Sequence, residues 1–190
     1  MMSENKDDLN IQPTINIGTV GVAAGGKSTL AEILVGKKTQ MHTKELTGQH
    51  TINICFANSF IYKDEKNKCF IPTKKQRKKG LEDYKIDNCF SLIDCPGHSE
   101  LLLKTLASIE LMDAVFVIIP INEEIEKQSE LLQHLLVVKA MNIKKIIVLL
   151  NKIDLINDRN KILQKKRQVQ QLFSKLEIEP CSYIPTSLSK

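Results

Sequence analysis

The sequence predicts an α/β fold, a mostly parallel six-stranded sheet with helices on both faces. Short apolar runs such as AVFVII (Ala114–Ile119) and IIVLL (Ile146–Leu150) read as strands buried on both sides. Stretches of helical length and period separate them. A glycine-rich turn, Gly21–Ser28, lies between the first strand and the first helix.

The elements follow in order. Residues 1–12 are polar and acidic and read as a disordered lead-in, neither a signal peptide nor a basic transit sequence. The folded domain is expected over 13–190. Thr14–Thr19 (TINIGT) is a β-type run, and Lys27–Val35 places Leu30, Ile33 and Leu34 on one helical face. Residues 36–50 lack a sustained period and are expected to be a loop. The β-branched and aromatic stretch 51–62 holds part of a strand. Residues 63–88, with Lys74, Lys75, Lys78 and Lys79 and few apolar anchors, read as a Lys-rich surface insertion, a solvated loop rather than an RNA contact. Then come a strand (Cys89–Ile93), a helix (98–110), a strand (Ala114–Ile119), a helix (126–142), a strand (Ile146–Leu150), a charged helix (about 160–175) and a short strand (Ser182–Ile184).

Bulk composition narrows the function classes. The chain has 190 residues, a net charge of +5, no Trp and five cysteines. The length suits one domain with a full core. The charge permits an acidic partner without demanding one. Scarce aromatics argue against a stacking surface for single strands. No two cysteines form C-x-x-C, and none joins a histidine at zinc-ligand spacing, so reduced thiols in a cytoplasmic protein are expected. No apolar run reaches membrane-spanning length, so no membrane association is expected.

Three motifs carry chemistry, all at the carboxyl ends of strands, where such sheets bind ligands. Gly21-Val-Ala-Ala-Gly-Gly-Lys27-Ser28 fits G-x-x-x-x-G-K-[ST]. Its backbone N–H groups, from Gly21, Ala24, Gly25 and Gly26 on to Thr29, are expected to close around phosphate oxygens at a helix N-terminus. Lys27 is expected to neutralise the β- and γ-phosphates, and the Ser28 hydroxyl to ligate Mg²⁺. Asp94-Cys-Pro-Gly97-His98 follows a strand. Asp94 is expected to hold Mg²⁺ through a water, Gly97 to sense the γ-phosphate through its N–H, and His98 to orient a water. Asn151-Lys152-Ile-Asp154 follows IIVLL, about 57 residues after Asp94 and about 125 after Gly26. The Asp154 carboxylate can accept from N1–H and N2–H₂ of guanine, a donor pair adenine lacks, and a buried acceptor of this kind can discriminate by roughly 10⁴–10⁵. The Lys152 stem can cover the base, and Asn151 is expected to brace the loops. Thr186-Ser187-Leu188 is a weaker element whose N–H groups can reach the guanine O6. Thr51 is the candidate second hydroxyl on Mg²⁺.

Together these residues resemble the translational GTPases, a P-loop GTPase fold, and within them the gamma subunit of eukaryotic and archaeal initiation factor 2. The resemblance rests on TINIGTVG, GKSTL, Glu45-Leu46…Thr51-Ile52 with Ala57-Asn58, DCPGH, LMDA and NKIDL, and covers Thr14–Lys190. It implies binding and slow, partner-stimulated hydrolysis of GTP to GDP with Mg²⁺, used as a switch in translation initiation. His98, Lys27 and Gly97 would carry the chemistry. Implied partners are sister alpha and beta subunits, initiator methionyl-tRNA, the small ribosomal subunit, and GTPase-activating and nucleotide-exchange factors. Another translational GTPase, for elongation or selenocysteine delivery, and a catalytically silent GTP-binding scaffold are the alternatives. Departures from the family are specific. Val22 and Gly25 stand where the family has histidines. Thr47-Gly48-Gln49-His50 replaces an Arg-containing segment, and Leu188 replaces an Ala. The insertion, where the family often has a zinc-binding loop, retains only Cys69, with Cys89 in the following strand, so no zinc is expected. The family continues with a helix and two β-barrels that take much of the tRNA contact. This chain reads as the GTPase domain alone, with an apolar patch expected where that helix would pack.

Overall fold

The computed structural model describes residues 12–36, 55–64, 68–72, 84–95, 109–125 and 128–189. Seven strands form one mixed sheet: β1 (Asn16–Gly21), β2 (Cys55–Asp64), β3 (Cys69–Pro72), β4 (Tyr84–Asp94), β5 (Ala114–Pro120), β6 (Lys145–Asn151) and β7 (Ser182–Pro185). Their order across the sheet is β3-β2-β4-β1-β5-β6-β7. From β4 to β7 every pairing is parallel. β2 runs antiparallel to both β4 and β3.

The expected six-stranded, mostly parallel sheet is therefore corrected to a mixed sheet of seven. The reading of 63–88 as a surface loop is corrected with it. Lys63 and Asp64 finish β2, Cys69–Pro72 forms β3, and Tyr84–Asn88 begin β4. Within β3 the side chain of Ile71 is buried opposite the buried Tyr62, whereas Cys69 and Phe70 are exposed. A four-residue strand with one inward side chain among those described has too short an alternation to stand out beside so many lysines. Lys74, Lys75, Lys78 and Lys79 lie outside the described residues.

Three helices among the described residues cover the sheet: α1 (Lys27–Val35), α2 (Ser129–Ala140) and α3 (Arg159–Lys175). α1 stops at Gly36, whose left-handed φ of 78° lets its N–H reach the Glu32 carbonyl at 2.9 Å. α3 starts at Asp158, whose carboxylate accepts from the Asn160 N–H at 2.8 Å. The predicted helix over 98–110 falls outside the described residues except for its last two.

Alternation along the central strands sends side chains to both faces. Val115, Val117 and Ile119 of β5 join Ile146, Val148 and Leu150 of β6 under α2 (Leu131, Leu135, Val138) and α3 (Val169, Phe173). Phe173 is fully buried and meets Tyr183 edge-to-face at 5.8 Å. Truncation of such an aromatic costs about 3–5 kcal/mol. On the opposite face Leu30 of α1 packs on Ile118 and Leu149, and Ala31 and Val35 pack on Phe90 and Leu92. That face opens toward β7, with Phe116 and Ile147 half-buried and Ile184 43% exposed. This order sets the carboxyl ends of β1, β4, β5, β6 and β7 along one rim. Among the described residues no helix is long and apolar enough to cross a membrane.

Candidate functional site

The turn after β1 wraps around the Lys27 ammonium. Nζ donates to the Val22 carbonyl at 2.7 Å and the Gly21 carbonyl at 3.0 Å, and the side chain is almost wholly buried. Burial lowers its pKa from 10.5 to about 8, against the attraction of Asp94, Cys95 and Glu130. The turn is closed by the Gly25 N–H on the Val22 carbonyl at 3.2 Å. At its crown the exposed Ala24 adopts a left-handed φ of 53°. Gly26 has φ 110°, and a Cβ there would fall on the Asn151 amide. Ser28 and Thr29 stand in the first turn of α1, Ser28 half-buried and Thr29 exposed. Polar N–H groups, a cation and a helix N-terminus thus converge on one spot, which is the chemistry of an anion site.

Beside it, β4 ends at Asp94. The carboxylate is completely buried, and its Oδ1 accepts from the Thr19 hydroxyl at 3.0 Å. The Thr19 oxygen in turn accepts from the Cys95 N–H at 3.3 Å. The parallel register of β1 and β4 sets Thr19 opposite Asp94. A fixed carboxylate and a hydroxyl from Ser28 are hard oxygen donors, the kind Mg²⁺ takes.

The third motif closes the rim. Asn151 at the end of β6 is almost fully buried. Its Nδ2 donates to the Gly25 carbonyl at 2.9 Å, and its Oδ1 accepts from the Leu188 N–H at 3.1 Å. One side chain thus ties the turn after β1 to the loop after β7. Lys152 takes a left-handed φ of 63°, and its ammonium lies 3.7 Å from Glu123. Asp154 follows in a single 3₁₀ turn, Ile153–Leu155. The Ser187 hydroxyl donates to its Oδ1 at 2.7 Å. Leu188 packs on the cluster of Leu30, Ile118 and Leu149, which seats that loop.

The structure therefore brings together Gly21, Ala24, Gly25, Gly26, Lys27, Ser28 and Thr29 in one loop and helix start. Asn151 joins that loop to Leu188, and Ser187 joins Leu188's loop to Asp154. Thr51, Gly97 and His98 lie outside the described residues. Among the described residues no three His, Cys, Asp or Glu side chains are grouped as a metal centre would need.

Three residues of this region did not emerge from the motifs. Thr19 was visible only as a strand threonine, because its role depends on which strand lies alongside. Glu130 opens α2 and its Oε2 accepts from the Ala23 N–H at 3.4 Å, a contact across 107 positions with no local signal. His134, almost fully buried, shares the inward face of α2 with Leu131, Leu135 and Val138, and this period was readable in SELLQHLLVVKA. Neither of its ring nitrogens has a partner among the described residues. Burial, with repulsion from Lys27 and against attraction by Glu130, lowers its pKa from 6.5 to about 4.

Comparison with known proteins agrees with this geometry. Residues 12–189 match the family described as the elongation factor Tu GTP binding domain. The chain is 34% identical over 197 residues to the eukaryotic translation initiation factor 2 subunit gamma of Encephalitozoon cuniculi (strain GB-M1), covering 98% of this chain and 44% of that protein. It is 32% identical to the translation initiation factor 2 subunit gamma of Thermoplasma acidophilum, covering 93% of this chain and 42% of the relative. The chain thus spans less than half the length of these relatives. Among solved structures it superposes on a bacterial selenocysteine-specific elongation factor, EF-Sec, with a TM-score of 0.71 at 22% identity, over 93% of this chain and 26% of that one. Sheet order, phosphate-type loop, base-type motif and the match along nearly the whole chain converge: this protein belongs to the elongation factor Tu GTP-binding domain family, the translational GTPases.

Proposed function

We propose that the domain binds GTP and GDP and hydrolyses GTP slowly, as the switch of a gamma-type subunit of translation initiation factor 2. One observation carries the reading. Asn151 couples the phosphate-type loop at Gly25 to the base-type loop at Leu188, with Asp154 held by Ser187 beside it. That arrangement suits a ligand with phosphates at one end and guanine at the other. The Lys27 ammonium would exchange part of its carbonyl contacts for β- and γ-phosphate oxygens. Ser28 and Asp94 would hold Mg²⁺, with Thr51 as a further hydroxyl, and the ion would neutralise phosphate charge. His98 would orient the attacking water and Gly97 would sense the γ-phosphate. The sequence shows no obvious arginine finger, and hydrolysis would depend on a partner, which can supply roughly 10³–10⁵ in rate. Within the assembled factor this switch would govern delivery of initiator methionyl-tRNA to the small ribosomal subunit, alongside alpha and beta subunits and exchange factors.

The experiment is a titration of the 190-residue chain with GDP, GTP and ATP, with and without Mg²⁺. Guanine nucleotides should bind at least roughly 10⁴-fold more tightly than ATP. In Lys27→Ala nucleotide affinity should collapse. Equal affinity for ATP and GTP would remove the Asp154 assignment. Tight binding with no phosphate released, even with the partners present, would favour a scaffold over a GTPase.

A further inference from the structure

The helix α3, on the sheet face away from α1, reads RNKILQKKRQVQQLFSK: six cations, four glutamines and no acid in 17 residues. Such a helix has no acidic residue with which to form the i,i+4 pairs that usually offset surface lysines. Its first turn carries Arg159 and Lys161, where the helix dipole disfavours positive charge, and the one acid at this end is the N-cap Asp158. Nearby acids are engaged otherwise. Asp158 caps the Asn160 N–H, and Glu177 pairs with Lys139 at 2.8 Å. Among the described residues none of the six cations meets a carboxylate, and Lys165 spends its ammonium on the Glu123 carbonyl. Apart from the Lys165 bond and Lys175 in the last turn, where the dipole favours a cation, the fold gives this concentration of positive charge no partner among the described residues.

We infer that the outer face of α3 is a docking surface for the phosphate backbone of double-helical RNA. Arg159, Lys161, Arg167 and Lys175 are exposed, with Gln164, Gln170 and Gln171 between them. The helix is about 25 Å long, enough to meet several successive phosphates. Glutamine amides supply both donors and acceptors, which suit the 2′-hydroxyls of an A-form minor groove. A lipid surface fits less well, because the apolar stripe of α3 (Ile162, Val169, Leu172, Phe173) is packed against the core and has nothing to insert. An acidic protein fits less well too. The outer face carries no aromatic side chain, and its one exposed large apolar residue is Leu163.

The test is fluorescence anisotropy with a labelled RNA duplex of roughly 20 base pairs, of mixed sequence, and the full chain. The variant K161Q/R167Q/K175Q changes only exposed side chains remote from the nucleotide site. Its melting temperature and GTP affinity show that it is folded. A second variant, K68Q/K144Q/K145Q, removes the same charge elsewhere. The α3 variant should bind the duplex at least about tenfold more weakly at 100 mM salt, with a salt slope shallower by about 2 to 3, while the second variant binds as wild type does. Wild-type affinity in the α3 variant would overturn the inference, and so would an equal loss in the second variant. Stronger binding of a poly-glutamate peptide than of the duplex, lost in the α3 variant, would overturn it in favour of an acidic protein.

Discussion

His134 makes the stability of the domain depend on pH in a predictable direction. Its imidazole is 1% exposed, neither ring nitrogen has a partner among the described residues, and its pKa is lowered from 6.5 to about 4. In the unfolded chain the ring takes up a proton near pH 6.5. In the folded chain it resists until about pH 4, because the proton would place a charge in an apolar layer facing Lys27, with only Glu130 in compensation. As pH falls below 6.5 the unfolded state therefore gains protons that the folded state does not. Stability is fully present above pH 6.5 and is lost as pH falls toward 4. At 1.36 kcal/mol per pH unit the whole interval is worth roughly 3 kcal/mol, of which roughly 2 kcal/mol is gone by pH 5. Few domains have more than about 5–15 kcal/mol to lose. The assay is urea unfolding followed by circular dichroism at pH 7 and pH 5, for wild type and His134→Leu. Leucine fills similar space and cannot titrate, so its stability should fall by roughly 2 kcal/mol less between the two pH values. Carboxylates titrate in both proteins and cancel in the difference. Parallel pH dependences in the two proteins would refute the reasoning.

Other outcomes follow from the same geometry. Asn151→Ala strands the Gly25 carbonyl and the Leu188 N–H, so stability should drop by about 2 kcal/mol in denaturant melts and GDP affinity by more than tenfold in fluorescence titration. Ser187→Ala removes the hydroxyl that donates to Asp154 Oδ1, and GTP affinity should weaken by about tenfold with little change in stability. Ile71→Ala empties the only inward position among the described side chains of β3. It should cost about 2–4 kcal/mol by thermal melts while leaving nucleotide affinity unchanged.

Most of the sheet was legible because its central strands are continuous apolar runs. AVFVII and IIVLL cannot be satisfied except between two covered faces, and both appear as buried parallel neighbours. α1 was readable to the residue, since a glycine-rich turn starts it and Gly36 ends it. β3 was not, because four residues beside a lysine run carry almost no period. The site divides in the same way. Lys27, Asn151 and Asp154 are fixed by local sequence, as strand ends deliver them to a common rim. Thr19, Glu130 and the Ser187–Asp154 bond depend on which distant element lies alongside, and no spacing rule encodes that. The charge of α3 was plain in the sequence, but only the packing of its apolar stripe shows that Arg159, Lys161, Arg167 and Lys175 face outward.

Gly26 belongs to the phosphate-type loop by sequence, yet its missing side chain is the space in which the Asn151 amide sits. The same amide holds Leu188 on the far side of the rim. A methyl group added at Gly26 would displace that amide and with it the loop after β7, which on the proposed function faces the base. The damage would spread from the triphosphate end of the pocket to the ring end. On the proposed function, position 26 would act on base selection through Asn151, although no atom of it need touch a base. A substitution there should blur the preference among purines as well as weaken the grip on phosphate, because the two ends of the pocket share one keystone.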